Sequence, residues 1–482
     1  MSAPDRRASA VVGAAVLASG VLFFFGTGQA IVAVPAATWL APLPVLLVTA
    51  RLSGRAAAVA GFAAYLLGTT NSWGFFLHSH DVPPAIGAMI SLSMSLIFAA
   101  TVWVFRRLLV RGHAIPACAA AAATWSGLEF LVPLVEPYGF IGTLAEQLDQ
   151  PLVLQLASVT GSLGVDALVV FVSCTVAAAA VTVRLRPLVV GAAVLAVVLG
   201  FGAVRLDGAD AGPTRRVALI VSNRTSWGPD VATGGGRALL DGYLAQIAAL
   251  PPDVDVAELP EGSLTVDDTT LPAVEAELGQ VARTRGTTVV FGVSRRSGGR
   301  TWAEAYVLPA SGAAPLRYLK HHDRVSPLGH ELTFVPGAPT PTGIAICADF
   351  DHPDVARDYG RAGAGLVLLP SSDNGANGWL HSRTGLVRGV ENGFAVARAG
   401  QHGRLVASDR FGRPLADTAS GGPEPFAVTV TDVPVTPSAT VYSRLGDWFG
   451  LLAVVVAAGA VATTAGRSRD RRAAARVTYS PS

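Results

Sequence analysis

Eight apolar stretches, each long enough to cross a bilayer, constrain this chain more than any other feature. A membrane-spanning helix needs about 20 apolar residues. Such stretches lie near residues 9–26, 29–50, 56–77, 85–105, 114–133, 160–183, 187–205 and 446–466. Seven precede a segment of ordinary soluble composition, and one follows it. The expected organisation is a seven-helix membrane domain over 1–205, a soluble domain over 206–440, and a last helix with a basic tail over 441–482.

Lys and Arg placement predicts the orientation. Arg6, Arg7, Arg51, Arg55, Arg106, Arg107, Arg111, Arg184 and Arg186 fall in alternate connections, and Arg467, Arg469, Arg471, Arg472 and Arg476 fill the tail. The intervening loops, around 27–28, 78–84 and 134–159, hold no Lys or Arg and carry Asp81, Glu136, Glu146 and Asp149. Both termini are therefore expected in the cytoplasm of a multi-pass plasma-membrane protein, with 206–440 on the outer face. The first stretch resembles a signal peptide, but a second follows at once without a convincing cleavage site, which favours an uncleaved anchor. The net charge of +2 and the lack of a basic patch argue against nucleic acid as a partner.

Within 206–440, short β-rich runs alternate with helical patterns. Strands are predicted over Val217–Val221, Val254–Leu259, Thr288–Val293, Thr342–Cys347, Gly365–Leu369, Phe394–Ala399, Arg404–Asp409 and Phe426–Thr431, and Ala303–Leu308 with Leu316–Leu319 reads as a hairpin. Helices are predicted over Leu239–Leu250, Leu271–Arg285, Pro353–Gly360 and residues 381–392. This rhythm argues a layered α/β domain with sheet covered by helices. Gly234–Gly236 lacks the Lys-Ser/Thr of a phosphate loop and reads as a solvated turn.

Cys118 and Cys174 lie in apolar stretches, so Cys347 is the only cysteine of the soluble segment. It is either an inert core thiol or a nucleophile. Free cysteines are often simply buried, but a lone thiol kept on an oxidising face suggests chemistry. Glu261, in Leu-Pro-Glu-Gly, and Lys320, in Arg-Tyr-Leu-Lys, stand at the ends of other predicted strands. A carboxylate can take the thiol proton and return it to a leaving group. An ammonium favours the thiolate and stabilises an oxyanion, and the Ala348 N–H is a natural second oxyanion donor.

The order Glu261, Lys320, Cys347 with these flanks resembles the nitrilase superfamily, and the whole chain resembles the apolipoprotein N-acyltransferases. The resemblance is carried by Asn223–Trp227, Leu259–Glu261, Tyr318–Lys320, Ile346–Cys347, Arg388–Gly393 and Tyr442–Asp447, and in the membrane half by Pro151–Gln155 and Gly161–Gly164. It implies a bundle of about eight transmembrane helices joined to an α/β, nitrilase-like αββα sandwich. It also implies a Glu261-Lys320-Cys347 triad and transfer of an acyl chain from a phospholipid, through a cysteine thioester, to the N-terminal amine of a diacylated apolipoprotein. No cofactor and no metal are implied. Trp227, Asn223, Trp379, Ser372, Asp373 and Glu391 are the substrate-binding residues it suggests. The chain departs from the family pattern in four places. Asp349 replaces a Glu two residues after the nucleophile. Glu331, with His330 as competitor, is the choice for a second Glu after the lysine. Ser371–Gly375 lacks a Trp that Trp379 could replace, and a membrane loop reads Pro137, Tyr138, Gly139, Phe140. Rival readings are a membrane-anchored amidase or acyltransferase with another acceptor, and a catalytically inactive scaffold.

Four further features have competing explanations. Adjacent His321 and His322 point to opposite faces of an extended chain, so with Asp323 they read as a solvated loop rather than a metal site. Glu129 lies inside a predicted span, where a carboxylate is either functional or paired within the bundle. Asp166 is expected at the interface. Trp73, Phe75, Phe76, Tyr138 and Phe140 fit an aromatic belt, with shaping of a lipid entry path as the alternative.

Overall fold

The computed structural model describes residues 3–79, 82–134, 139, 141–208, 212–225 and 227–477. Asp81, Glu136, Pro137, Tyr138 and Phe140 lie outside the described residues. Among those described, five helices are long and apolar enough to cross a membrane: Ser9–Gly26, Pro84–Leu109, Ala114–Leu134, Ser162–Thr182 and Arg186–Asp207. A helix at Gly54–Gly68 continues through a tight turn into Trp73–His78, and the closing helix Trp448–Val477 begins with the apolar run Trp448–Thr463.

The expected span at 29–50 is not one helix. It is two six-residue helices, Pro35–Leu40 and Leu43–Val48, followed by a 3-10 turn at Thr49–Arg51. Proline lacks an N–H and suits only the first turn of a helix, so Pro35, Pro42 and Pro44 force two separate starts. Six residues at about 1.5 Å each reach roughly 9 Å, so neither short helix crosses a bilayer core alone. Together they bury Val45 and Leu46 inside the bundle. Its centre is aromatic: Phe23 lies 4.6 Å from Tyr65 and 5.0 Å from Phe98, and Tyr65 lies 5.7 Å from Trp125, ring centre to ring centre. The closing helix packs along Ala114–Leu131, where Gly127 admits the backbone of Ala453 and Val454. The soluble segment is thus inserted before the last helix of a single bundle.

That segment is an αββα sandwich. Its strands are β1 (Thr214–Ser222), β2 (Val256–Glu258), β3 (Leu264–Asp267), β4 (Thr288–Ser297), β5 (Arg300–Leu308), β6 (Leu316–Leu319), β7 (Thr333–Phe334), β8 (Thr342–Ile344), β9 (Leu366–Leu368), β10 (Ser371–Ser372), β11 (Ala395–Gln401), β12 (Arg404–Ser408), β13 (Pro414–Ala419) and β14 (Phe426–Pro434). One sheet runs β14-β1-β2-β4-β5-β6 with β3 beside β4, and the other runs β13-β12-β11-β9-β8-β7 with β10 beside β11. Val217, Leu219, Val256, Val290 and Tyr318 of the first sheet meet Ile344, Leu366, Leu368, Ala397 and Leu405 of the second in a dry core. Helices Gly234–Ala248 and Leu271–Arg285 cover the first sheet through Leu240, Tyr243, Ile247, Val274 and Leu278.

Gly234–Gly236 is not a solvated turn. It is the first turn of the helix, capped by the Thr233 hydroxyl, which accepts from the Gly236 N–H at 3.1 Å. On the second sheet, helix Pro353–Arg361 packs Val355, Ala356 and Tyr359 against Val367 and Phe394. Helix Gly378–Asn392 has two buried faces. It lies beside β11 and also sends Leu386, Val387 and Val390 into the core of the membrane bundle. This helix is the seam between the two halves.

Candidate active site

The strand carrying Cys347 is shorter than its apolar run suggested. It ends at Ile344, and Cys347 opens a 3-10 turn, Cys347–Phe350, with its N–H on the Pro370 carbonyl at 3.0 Å. Its φ is +42°, a region non-glycine residues rarely occupy. Such strain concentrates at functional sites. Here it turns the side chain out of the strand, leaving Cys347 half-buried while Cys118 and Cys174 are buried. The Ala348 N–H that follows has no protein acceptor among the described residues.

Asp349 fixes this turn. One carboxylate oxygen accepts from the Ile346 N–H at 2.8 Å and the Tyr318 hydroxyl at 2.7 Å. The other accepts from the His321 and His322 N–H groups at 2.9 and 2.8 Å. The residues on both sides of Lys320 are thereby tied to the turn that holds Cys347. The shorter Asp is therefore a structural clamp between thiol and lysine segments.

Glu261 follows β2, and its backbone crosses Gly292 of β4 so closely that a Cβ on Gly292 would meet Glu261 Cα at 2.7 Å. The Lys320 ammonium, just past β6, donates to Glu261 Oε1 at 2.6 Å, and both side chains are buried. Burial pushes the Lys320 ammonium down, but Glu261, Cys347, Asp323 and Asp349 more than reverse this, so it stays charged. Burial pushes the Glu261 carboxyl up while Lys320 pulls it back, and Cys347 acts in the same lowering direction. The Cys347 thiol is held well above its ordinary range, first by burial and then by the Glu261 charge, against the pull of Lys320 and Arg398. The resting sulfur is thus a thiol, 3.4 Å from the Ser372 carbonyl.

Of the other expected site residues, only some gather here. Trp227 is 45% exposed and covers Gly262, whose φ of +57° suits glycine; its ring N–H donates to Ser294 at 3.0 Å. It forms part of the rim beside Glu261. Ser372 reaches the sulfur through its backbone. Trp379 opens the seam helix, half-buried.

Three expected substrate contacts are engaged within the protein instead. The Asn223 amide donates to the Glu424 carbonyl and accepts from Gly421, bracing that loop. Asp373 is buried, paired with Arg398 at 2.6 and 2.9 Å and with His381 at 2.8 Å. Glu391 is buried, bound to Arg388 at 2.7 Å and to the Ser162 N–H of the membrane half at 2.7 Å. Glu331 and His330 are exposed, and among the described residues the Glu331 carboxylate makes no hydrogen bond or ion pair. Asp323 acts on both Glu261 and Lys320, and Lys320 holds it low against the effect of its burial. Its place three residues beyond the lysine was the available signal.

His322 pairs with Asp354 at 3.0 Å and stacks on His352 at 3.7 Å, and no metal-ligating cluster occurs among the described residues. In the bundle, Asp166 sits near the start of helix Ser162–Thr182. It is buried and accepts from the Leu144 and Ala145 N–H groups at 2.9 and 2.8 Å, capping the 3-10 turn Ala145–Gln147. Glu129 is buried in the same bundle.

The sandwich is that of the nitrilase superfamily, and residues 233–425 match the family model for carbon-nitrogen hydrolases. Solved structures of similar fold include a mutant of the amidase from Nesterenkonia sp. in complex with butyramide, at 20% identity over 49% of this chain and 96% of that one, with a TM-score of 0.39. Another is a CN-hydrolase superfamily protein from Xanthomonas campestris with an arsenic adduct in its active site, at 17% identity over 45% of this chain and 91% of that one, TM-score 0.38. A third is a branch 10 nitrilase-superfamily member from Saccharomyces cerevisiae, at 18% identity over 45% and 90%, TM-score 0.38. No curated protein matches the chain. Residues 19–175 match the apolipoprotein N-acyltransferase N-terminal domain, and with both matches the chain belongs to the apolipoprotein N-acyltransferase family of this superfamily. It is a membrane-associated enzyme of acyltransferase or hydrolase type.

Proposed function

We propose that the chain transfers a fatty acyl chain from a phospholipid to the α-amine of a diacylglyceryl-cysteine at an apolipoprotein N-terminus, with Cys347 as nucleophile. The observation that carries this reading is the position of the thiol turn against the membrane half. Four and five residues past Cys347, Asp351 and His352 close on Gly139. Two residues past Ser372, the Asn374 amide donates to Ser79 at 3.3 Å. Both contacts are to loops between membrane-type helices, so an acyl ester in the adjoining leaflet lies within reach of the sulfur.

Glu261 takes the thiol proton as sulfur attacks the ester carbonyl. The oxyanion forms beside the Lys320 ammonium and the Ala348 N–H. The ester C–O bond breaks as the C–S bond forms, and Glu261 returns the proton to the departing lysophospholipid oxygen. The acceptor amine then attacks the thioester, losing its proton to Glu261 and expelling the thiol, which recovers a proton. The alternation of Arg-rich and Arg-free connections supports a sandwich on the outer face, with both termini cytoplasmic.

The test is incubation of the protein in lipid nanodiscs with a synthetic diacylglyceryl-cysteine peptide. The expected product is the peptide heavier by one fatty-acyl group, absent with Cys347→Ala. Release of free fatty acid without peptide acylation would show a hydrolase instead, and turnover of neither kind would show an inactive scaffold.

A further inference from the structure

Lys320 is the obvious cation of the site, yet its ammonium is bound to Glu261 at 2.6 Å. The remaining cation whose field reaches the sulfur is Arg398 on β11, buried on the face of the second sheet that meets the seam helix. Its guanidinium forks onto Asp373 at 2.6 and 2.9 Å, the bidentate geometry that fixes a planar group in place. Asp373 is one residue beyond Ser372, whose carbonyl is 3.4 Å from Sγ. The Asp373 N–H donates to Gln401 on the same strand as Arg398 at 2.8 Å. His381 of the seam helix binds the Asp373 carboxylate at 2.8 Å, and Asp351 stands 3.9 Å from the other ring nitrogen. Two glycines leave room for the pair: a Cβ on Gly403 would overlap the Asp373 carboxylate, and one on Gly400 would overlap the Arg398 guanidinium.

We propose that the buried Arg398–Asp373 pair is a positioning element of the acyl-transfer site, fixing the Ser372 carbonyl against the Cys347 sulfur and presenting the thiolate with its second positive charge. The element acts in two ways. Asp373 anchors the backbone that orients the thiol. Arg398, screened only in part by that carboxylate, opposes the Glu261 charge that disfavours the thiolate. Of the charged groups that act on the sulfur, Glu261 and Asp373 disfavour the thiolate, and Lys320 and Arg398 favour it. Arg398 favours the thiolate and Asp373 disfavours it by less, so losing Arg398 leaves the Asp373 charge unopposed near the sulfur.

This inference rests on Cys347 being the nucleophile, and its test does not depend on which acceptor receives the acyl group. The rate of Cys347 alkylation by iodoacetamide is followed against pH by peptide mass spectrometry on the full chain in detergent. Single-turnover acylation by phospholipid is measured alongside. With Arg398→Gln the alkylation midpoint moves up by about one unit, a tenfold slower reaction at a fixed pH below it. Acylation falls by at least about tenfold at saturating phospholipid, and Arg398→Lys recovers most of both losses. An unmoved midpoint in folded Arg398→Gln protein overturns the proposal, as does an Arg398→Lys variant no better than Gln. If Arg398→Gln fails to fold, Asp373→Glu decides. It keeps the charge but displaces the anchor by one methylene, so acylation must slow while the alkylation midpoint stays near wild type. Full acylation activity in Asp373→Glu overturns the positioning role.

Discussion

Asp349→Asn is the substitution that most directly probes how the site is held together. The carboxylate accepts four hydrogen bonds at 2.7 to 2.9 Å, from Ile346, Tyr318, His321 and His322, and is fully buried. Asparagine keeps one acceptor oxygen and turns the other into an NH2 that faces two donors. Two charge-assisted bonds are lost, at roughly 1.5–3 kcal/mol each, so the substitution costs about 3–6 kcal/mol. For a domain of this size each kcal/mol lowers the melting temperature by about 2–4 °C, which gives a fall of roughly 6–24 °C. A second effect is local. Tyr318 and His321 flank Lys320, while Ile346 precedes Cys347, so loosening the clamp separates the lysine from the thiol. Tryptophan-fluorescence melting in detergent reads the first effect, and single-turnover acylation well below the melting point reads the second. If the Asn variant melts within about 2 °C of wild type and acylates at the wild-type rate, the clamp assignment is wrong.

Two further substitutions test particular buried charges. Glu258 of β2 accepts from the Ala399 N–H at 2.8 Å across the sandwich, and burial, offset in part by that bond and by Arg398, pushes its carboxyl up to about 8. The unfolded chain ionises near the ordinary 4.5 while the folded chain resists until about 8. Stability should therefore erode as pH rises through that window, by up to about 5 kcal/mol in the limit. Glu258→Gln should flatten the melting-temperature profile across the window and melt higher than wild type above about pH 8; an equally steep profile would refute the assignment. Glu391→Ala leaves Arg388 buried without its partner and uncaps the helix that starts at Ser162, which should cost about 3–5 kcal/mol and expose the seam to limited proteolysis. An unchanged melting temperature and digestion pattern would show that the seam does not depend on it.

The αββα layering was legible because the longer strands such as β1 and β4 are apolar, β-branched runs bounded by turn residues, while β3, β7, β10 and β13 are too short or too polar to register. The convergence of Glu261, Lys320 and Cys347 was legible because all three follow strand ends, and paired sheets bring such ends together. What sequence concealed is pairing at long range. Glu391 and Ser162 are 229 residues apart, so nothing local marks the carboxylate as a helix cap at the seam. Asp373 looks like a pocket carboxylate until Arg398 and His381 are seen on it. Apolar composition masked the break at 29–50, because hydropathy registers burial and ignores missing N–H donors, which Pro35, Pro42 and Pro44 impose. The thiol itself read as the end of a buried strand. Only backbone geometry shows it turned out at a positive φ.

The central claim is that an acyl chain from a phospholipid rests on Cys347 before it reaches an amine. Intact-protein mass spectrometry after incubation with phospholipid vesicles, without acceptor, tests it most directly. The wild-type chain should gain one fatty-acyl mass, localised to the Cys347 peptide, cleared by hydroxylamine and discharged on adding a diacylglyceryl-cysteine peptide. A wild-type chain that transfers acyl groups without ever carrying that mass, or a Cys347→Ala chain that still transfers them, would contradict it.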